Sequence, residues 1–399
     1  MRLLAFGSSV ALVGCAVAES IRLSAACPWS PLQVSQKPIC VSPSLSSHSP
    51  ARNQDNSIGS GRAGWKGLET CTRQACIFSN AEVGGGIVLV TSQRNADIVS
   101  SLPIGLDADA ASPPPFYVAD IPGKGVGLIA NRTIRRGELI MVRPATMMVQ
   151  IAAHHGLDPE NRDMLYKRAL SRLPKRAQDS FMSQVGRDIG EKIDMNAFQV
   201  YVDGKNESGS HLSSYPEVSR LNHDCRPNVH YRITNTTHTT IAARDISRGE
   251  ELSISYTGVK LPWHERRSRL SSTWGFNCTC SHCSMSADEA AASDARLSTI
   301  AQLAADLENF SEGLVTAETG AELVELYRQE RLDILMGRAL TLAALNFALF
   351  GEVERAQEYA RAAVQAVDMD PIDLDSMKIL AENPRAHWSW GKRRKGKMN

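Results

Sequence analysis

Short apolar runs between glycine-containing turns mark the middle of the chain. Such runs occupy residues 116–119, 127–130 and 139–142. Runs of this length and spacing predict short strands in small antiparallel sheets. A further buried strand is predicted at residues 87–90, because this apolar run directly follows three glycines. The middle of the chain is therefore expected to be rich in β-structure.

The apolar spacing becomes helical between about residues 154 and 192. The residues predicted to share one helix face are Met164, Leu165, Ala169, Leu170 and Leu173. Pro174 is predicted to end that helix. Strand-like spacing returns at residues 196–200, 229–233 and 252–256. The pattern therefore predicts an α+β fold with a helical insert.

Helical spacing continues from Ser286 onward. In this part Gly351 separates two apolar helices, and Asp370 with Pro371 follows the second of them. A helix, a glycine-led turn, a helix and then Asp-Pro resemble one tetratricopeptide repeat (TPR). Because such repeats are stable only in stacks, we expect these helices to pack on their neighbours, with a surface for a protein partner.

The first 18 residues have the features of a secretory signal peptide. Arg2 supplies the positive charge, residues 3–17 are apolar, and Ala16 and Ala18 form an A-x-A cleavage pattern. The alternatives are a buried N-terminal strand or a misassigned start codon. We recognise no second long apolar run, so no membrane contact is predicted for the mature protein.

Residues 19–112 form a variable region rich in serine, glycine and proline, with a flexible linker predicted at about residues 42–64. The cysteines of this region are Cys27, Cys40, Cys71 and Cys76. After a signal peptide, four cysteines predict two disulfide bonds, with three connectivities to choose from. The sequence assigns no function to this region.

The composition is that of a globular protein, with 43% apolar and 22% charged residues in a chain of 399. This length accommodates two or three domains. The formal net charge of +1 creates no overall field that would attract nucleic acid or an anionic membrane. Basic residues gather at positions 392–397, where a solvated tail is the simple interpretation and a nuclear address or polyanion contact is the alternative.

A polar, turn-forming stretch at residues 220–228 separates an apolar segment from a predicted strand. Its asparagine, aspartate and proline residues favour turns, and polar turns between core elements often line a functional site. A Gly-Glu-Glu-Leu strand leading to Tyr256 comes next, and a Cys-X-Cys-X-X-Cys cluster occupies residues 278–283. A Gly-X-Gly motif occurs earlier, at Gly125 and Gly127.

The four motifs, in this order, resemble those of the SET-domain protein methyltransferases over roughly residues 116–283. The resemblance implies a SET-type β fold with a pseudoknot-like segment and a following TPR-like all-α region. It is strongest to the SET-and-MYND group. The chain has no cysteine between Cys76 and Cys225, so the zinc-binding MYND module of that group is expected to be missing.

The resemblance also implies a site for S-adenosylmethionine. The predicted cofactor contacts are Lys124, Gly125, Gly127, Asn196, Ser219, Leu221, Asn222, His223, Tyr256 and Phe276. Asn222 and His223 would hold the adenine and amino-acid ends, and Phe276 would pack on the adenine. Tyr256 is the predicted catalytic residue beside the methyl-transfer channel. The alternatives are a plain hairpin turn for the glycines, a capped turn for Asn222 and His223, and core packing for the aromatic rings.

Four cysteines of the signature region resemble the zinc site that joins the SET domain to its post-SET loop. They are Cys225, Cys278, Cys280 and Cys283. A tetrahedral site made of four thiolates is structural and leaves no open position for catalysis. Because the signal peptide predicts an oxidising compartment, two disulfide bonds are the alternative.

The predicted domains are a signal peptide (1–18), the variable region (19–112), the SET domain (113–257, insert at about 154–192), a post-SET segment (258–285) and TPR-like helices with a basic tail (286–399). The predicted activity is that of a protein-lysine N-methyltransferase acting on a lysine-bearing protein. A catalytically silent SET fold that binds partners is the alternative, and a secreted effector is a third interpretation. The compartment is left open between the secretory pathway or extracellular space, and the nucleus or cytoplasm.

Overall fold

The computed structural model describes residues 64–104, 113–202, 207–234, 236–309, 313–369 and 371–393. The predicted signal peptide, Cys27, Cys40, nearly all of the predicted linker and most of the basic tail lie outside these ranges. The predictions made for those segments therefore stay predictions.

Twelve strands and eleven α-helices lie within the described residues. The strands are β1 (Cys76–Asn80), β2 (Ile87–Thr91), β3 (Phe116–Ile121), β4 (Gly125–Ala130), β5 (Leu139–Pro144), β6 (Met147–Gln150), β7 (Phe198–Tyr201), β8 (Ser210–Ser214), β9 (Asn222–His223), β10 (Val229–Thr234), β11 (Thr237–Ala242) and β12 (Glu251–Ile254). The helices are α1 (Gln93–Ser101), α2 (Ile151–Gly156), α3 (Pro159–Leu170), α4 (Lys175–Met182), α5 (Ile189–Asn196), α6 (Trp263–Trp274), α7 (Ala287–Glu308), α8 (Thr319–Gln329), α9 (Met336–Phe350), α10 (Val353–Val364) and α11 (Pro371–Glu382).

The strands form three small sheets, with the orders β1-β2-β6-β8-β7, β10-β11-β5 and β3-β4-β12-β9. Most neighbours are antiparallel, but β2 pairs with β6 and β9 pairs with β12 in parallel. The sheets are small and mostly antiparallel, as predicted, and the two parallel pairs were not indicated by the sequence pattern. The buried strand expected at residues 87–90 is β2, and it adds the variable region to the same sheet as β6 and β8. The fold is α+β, as predicted.

The predicted helical insert consists of four short helices, α2 to α5. Helix α3 ends at Leu170, and Pro174 instead precedes α4 as its N-cap residue. Asp158 accepts a hydrogen bond from the Asn161 N–H and caps the start of α3. Met164 is 55% exposed, so it does not share the buried helix face that was predicted to include it. The face that packs on β1 and β2 begins one position later, at Leu165.

The C-terminal region is all-helical, and its helices α7 to α11 share one apolar core. Ser286 and Glu289 form a capping box at the start of α7, and Gly351 ends α9 in the left-handed conformation with φ of 78°. One apolar stretch escaped the sequence analysis. The segment Asp333–Phe350 is long and apolar enough to cross a membrane, by length and composition only. It contains α9, the central helix of this core, and 67% of it is buried. The TPR-like character of the region stays a prediction.

Cys71 and Cys76 form a disulfide bond at the edge of β1. This pair is consistent with one of the three predicted connectivities, in which Cys27 would bond to Cys40. The bond lies in the variable region and not among the cysteines of the signature motifs.

Candidate functional site

The turn-forming stretch lies along β12 and is bonded to that strand near both of its ends. Strand β9 pairs in parallel with β12, so that Asn222 lies opposite Ser253. Further along, Asn228 Oδ1 accepts the Ser253 N–H at 2.9 Å, and its Nδ2 donates to the Glu251 carbonyl at 2.8 Å. The two asparagines of the motif therefore hold one segment against one strand, which accounts for their spacing.

Asp224 closes the turn between these two asparagines. Its Oδ1 accepts the Arg226 N–H at 2.8 Å, and its own N–H donates to the Ile254 carbonyl at 2.9 Å. Burial, together with the negative charge of Cys280, raises the pKa of Asp224 to about 6. The aspartate thus satisfies a backbone donor inside the turn, as Asx residues commonly do.

The Gly-X-Gly motif forms the start of β4 and lies directly against Asn222. Gly125 has a φ of 76°, in the left-handed region that favours glycine. Gly127 has ordinary φ but no room: an added Cβ would lie 2.6 Å from Ile121 Cγ1 and 2.8 Å from Asn222 Nδ2. The two glycines therefore serve different needs, one of conformation and one of space.

Glu251 joins two of the predicted cofactor residues. Its Oε2 lies 2.7 Å from Lys124 Nζ, and its Oε1 accepts a hydrogen bond from Asn222 Nδ2 at 2.9 Å. Asn222 Nδ2 also donates to the Val126 carbonyl at 3.3 Å. The sequence analysis did not select Glu251 as a site residue. Its position as the second acid of the Gly-Glu-Glu-Leu motif was the available signal.

Tyr256 is attached to the turn-forming stretch at both ends. Its N–H donates to His223 Nδ1 at 3.0 Å, and its hydroxyl donates to the Leu221 carbonyl at 2.9 Å. Because His223 Nδ1 accepts, the ring proton is on Nε2, which points at Cys225 Sγ from 3.2 Å. Tyr256 lies two residues beyond the end of β12, so the strand predicted to reach it is shorter than expected.

An aromatic cluster surrounds the Tyr256 ring. The centroids of the His223 and Trp274 rings each lie 5.4 Å from that of Tyr256, and the Phe276 centroid lies 6.4 Å away. Trp274 Nε1 donates to the Met195 carbonyl at 3.3 Å, which fixes the indole. Trp274 was not predicted as a site residue, although its place two positions before Phe276 was a usable signal. Burial, and then the negative charge of Glu251, raise the pKa of Tyr256 well above its ordinary value.

Asn196 and Ser219 support the backbone around the site with their side chains. Asn196 is the last residue of α5, not the first of a strand, because its amide donates to the Val185 and Lys192 carbonyls at 2.8 and 2.7 Å. Ser219 Oγ donates to the Pro216 carbonyl at 2.7 Å. The cofactor contacts predicted for these two residues, and for the buried Leu221, stay predictions.

The four signature cysteines come together as predicted. All four are buried and free, and their sulfur atoms lie within 4.8 Å of one another. Zinc–sulfur bonds of about 2.3 Å in a tetrahedron require sulfur–sulfur separations of about 3.8 Å, so small adjustments would let these thiolates bind one ion. The donor set fits a structural zinc ion and offers no catalytic position. No disulfide bond joins these four sulfur atoms in the described part of the chain.

A buried ion-pair network lies next to the cysteines and was missed by the sequence analysis. The Arg226 guanidinium donates to the carbonyls of Cys225 and Val259 at 2.8 Å and to Glu330 Oε2 at 2.7 Å. Glu330, at the end of α8, also accepts hydrogen bonds from Ser293 and Arg296. Arg226 and Glu330 are 3% and 1% exposed. The network therefore ties the turn-forming stretch to the C-terminal helices.

The SET-domain family model matches residues 125–257, which include the glycine motif, β9, β12 and Tyr256. The segment at residues 125–257 is therefore similar to SET domains. The matched segment ends just after the tyrosine and before the cysteine cluster, so the post-SET assignment rests on the resemblance and on the geometry of the four sulfur atoms.

Several curated proteins are similar to this chain. Histone-lysine N-methyltransferase set5 of Schizosaccharomyces pombe is 28% identical over 295 residues, which cover 68% of this chain and 85% of that protein. Potential protein lysine methyltransferase SET6 of Saccharomyces cerevisiae is 38% identical over 93 residues (22% and 25%). Human N-lysine methyltransferase SMYD2 is 33% identical over 94 residues (23% and 21%). The chain thus spans a quarter or less of the last two relatives.

Among solved structures, the methyltransferase domain of human histone-lysine N-methyltransferase SETMAR is similar over 35% of this chain and 44% of that chain. The identity is 18% and the TM-score is 0.20. A score this low carries no argument about the site.

Proposed function

We propose that this protein is an S-adenosylmethionine-dependent methyltransferase that acts on a lysine side chain of a protein. The observation that carries the proposal is the double attachment of Tyr256 to the turn-forming stretch inside an aromatic cluster. The SET domain, and relatives named as lysine methyltransferases, support the same activity. The arrangement fixes one polar hydroxyl beside the residues predicted to hold the cofactor.

The cofactor supplies a methyl group on a sulfonium centre. The residues that fit its binding are the glycines of β4, Asn222, His223 and Phe276. An added Cβ on Gly127 would meet Asn222, so the hairpin and the turn-forming stretch already lie at contact distance. The half-buried ring of Phe276, 6.1 Å from the His223 ring centroid, offers an apolar face for a flat base.

The chemistry requires a neutral lysine amine. A free lysine has a pKa of about 10.4, so deprotonation near pH 7 costs roughly 4–5 kcal/mol. The aromatic side chains of Tyr256 and Trp274 would lower that pKa by excluding water from the amine. Holding the amine in line with the methyl group can contribute about 7–11 kcal/mol. The Tyr256 hydroxyl, whose own pKa is raised, stays protonated and orients the amine without acting as a base.

We further propose that Cys225, Cys278, Cys280 and Cys283 bind one structural zinc ion. Such an ion would connect the turn-forming stretch to the post-SET segment, which begins next to Phe276. The role is to hold Phe276 and His223 in one pocket. His223 Nε2–H, pointing at Cys225 Sγ, would stabilise the thiolate as a hydrogen-bond donor outside the metal ligands.

The proposed activity is tested with the purified full-length chain. Calorimetric titration with S-adenosylmethionine should give saturable binding of one molecule per chain. Incubation with methyl-labelled cofactor and a mixture of proteins should then transfer label to lysine residues, located by mass spectrometry. Cofactor binding without any methyl transfer would support the alternative, a catalytically silent SET fold that binds partners. Absence of both would reject the proposal.

Gly127→Ala is expected to weaken cofactor binding. The new Cβ would meet Ile121 and Asn222 at 2.6 and 2.8 Å, so the hairpin must move away from the turn-forming stretch. Overpacking of this kind costs about 1–3 kcal/mol, which corresponds to about 5- to 150-fold in the dissociation constant. Gly313→Ala is the control, because an added Cβ there meets nothing within 4 Å. Equal affinities for the two variants would contradict the assignment.

A further inference from the structure

Lys124, Glu251 and Asn222 form a chain of polar contacts along the edge of β4. The Glu251 carboxylate lies between the other two, at 2.7 Å from Lys124 Nζ and 2.9 Å from Asn222 Nδ2. An added Cβ on Gly127 would lie 3.2 Å from Glu251 Oε1. The carboxylate therefore lies over the glycine that brings the hairpin and the turn-forming stretch together.

The orientation of the Asn222 amide follows from its neighbours. Both neighbours of Nδ2, the Glu251 carboxylate and the Val126 carbonyl, are acceptors. A reversed amide would place Oδ1 against two other oxygen atoms, which is unfavourable. Glu251 thus fixes Nδ2 inward and leaves Oδ1 as an acceptor to which no described residue donates. The Asn222 side chain is half-buried.

Lys124 is held by the same carboxylate. Its side chain is 31% exposed and its long stem would otherwise sample many rotamers. The contact with Glu251 keeps the ammonium group near the Asn222 amide, because both groups bind the same carboxylate. One acceptor and one cation at neighbouring positions are complementary to a zwitterion, whose ammonium group would donate to the oxygen and whose carboxylate would approach the lysine.

We propose that Glu251 is a positioning residue for the amino-acid end of the cofactor, acting through Asn222 and Lys124. This inference rests on the proposed function, since it concerns the same site. Glu251 is expected to leave the nucleoside end unaffected, because Phe276, the residue assigned to the adenine, packs on the rings of His223 and Tyr256 and not on this carboxylate. Loss of the Glu251 carboxylate should therefore weaken the binding of ligands that carry the amino-acid end, and not of ligands that lack it.

The test compares two ligands that differ only at the amino-acid end. S-adenosylhomocysteine carries that end, and 5′-methylthioadenosine lacks it. For Glu251→Gln, we expect calorimetry to show S-adenosylhomocysteine binding weakened by about 10- to 100-fold, as for loss of a charged hydrogen bond. Binding of 5′-methylthioadenosine should be unchanged. Lys124→Met should likewise weaken the binding of S-adenosylhomocysteine and not of 5′-methylthioadenosine. This second variant tests the inference if Glu251→Gln folds poorly.

Glu138→Gln is the matched control. Glu138 forms an ion pair with Arg132 at 2.6 Å in the same domain. The Glu138→Gln variant should bind S-adenosylhomocysteine and 5′-methylthioadenosine with wild-type affinity. If Glu251→Gln weakens the binding of the two ligands equally, Glu251 has a merely structural role and the inference is overturned. The inference is also overturned if the binding of neither ligand is weakened. A wild-type chain that binds neither ligand would instead reject the proposed function, and the inference with it.

Discussion

Removal of zinc from the purified protein is expected to loosen the post-SET segment and to abolish tight cofactor binding. Zinc bound by thiolates contributes about 10–16 kcal/mol of apparent binding free energy in small zinc domains, which is comparable to the whole stability of a typical domain. The four sulfur atoms join Cys225 to a segment far along the chain, so chelation should release Phe276 from His223. Elemental analysis, cofactor titration and hydrogen exchange before and after chelation measure the effect.

The controls distinguish zinc from disulfide bonds. Reductant should cleave the Cys71–Cys76 bond and leave zinc content and cofactor affinity unchanged. Cys71→Ser should behave in the same way, whereas Cys225→Ser should lose the metal. Hydrogen-exchange protection in the core of α9 should survive chelation, because that core is built from helix packing. Zinc-free protein with these four sulfurs oxidised in pairs would disprove the zinc assignment.

Tyr256→Phe is expected to retain cofactor binding and to lose about 100-fold or more in turnover, as when one oriented polar group is removed from an active site. The hydroxyl is held by the Leu221 carbonyl at 2.9 Å, so its position is set before substrate arrives. The aromatic ring, and with it the packing against Trp274, is kept in the variant. Single-turnover transfer of labelled methyl groups, with cofactor affinity measured separately, gives the two quantities.

Tyr327→Phe is the matched control for this substitution. Tyr327 is fully buried in the C-terminal core, and no described residue forms a hydrogen bond with its hydroxyl. Removing that hydroxyl should leave turnover at the wild-type rate. A Tyr256→Phe enzyme that is as fast as wild type would remove the hydroxyl from the mechanism, while loss of cofactor binding would assign it a structural role.

Features that depend on neighbours in sequence were predictable. The buried strand β2 follows from three glycines and an apolar run, and the start of β4 follows from its glycine motif. The four cysteines were grouped by the family resemblance, and the structure brings their sulfur atoms together. The turn-forming stretch was recognised because its polar residues interrupt an apolar pattern. For the two strands and for the turn-forming stretch, the physical cause lies in neighbouring residues of the sequence.

Features that depend on distant partners were not predictable. The end of α3 at Leu170 is decided by packing on β1 and β2, which the helical period alone does not reveal. Asn196 fits both a strand start and a helix end until its amide is seen to bond to Val185. Glu251 was visible as a motif residue, but its link to Lys124 requires β4 and β12 to be neighbours. The partner of Arg226 is 104 residues away in sequence.

The Arg226–Glu330 pair has a consequence for how the chain folds while it is being synthesised. At synthesis rates of about 5–20 residues per second, Glu330 follows Arg226 after roughly 5–20 s, since 104 residues separate them. During that interval the arginine has no carboxylate, and a guanidinium is costly to bury without one. The turn-forming stretch should therefore reach its final form only after α8 has emerged from the ribosome. A fragment that ends at the post-SET segment lacks Glu330, so its turn-forming stretch should not reach the final form.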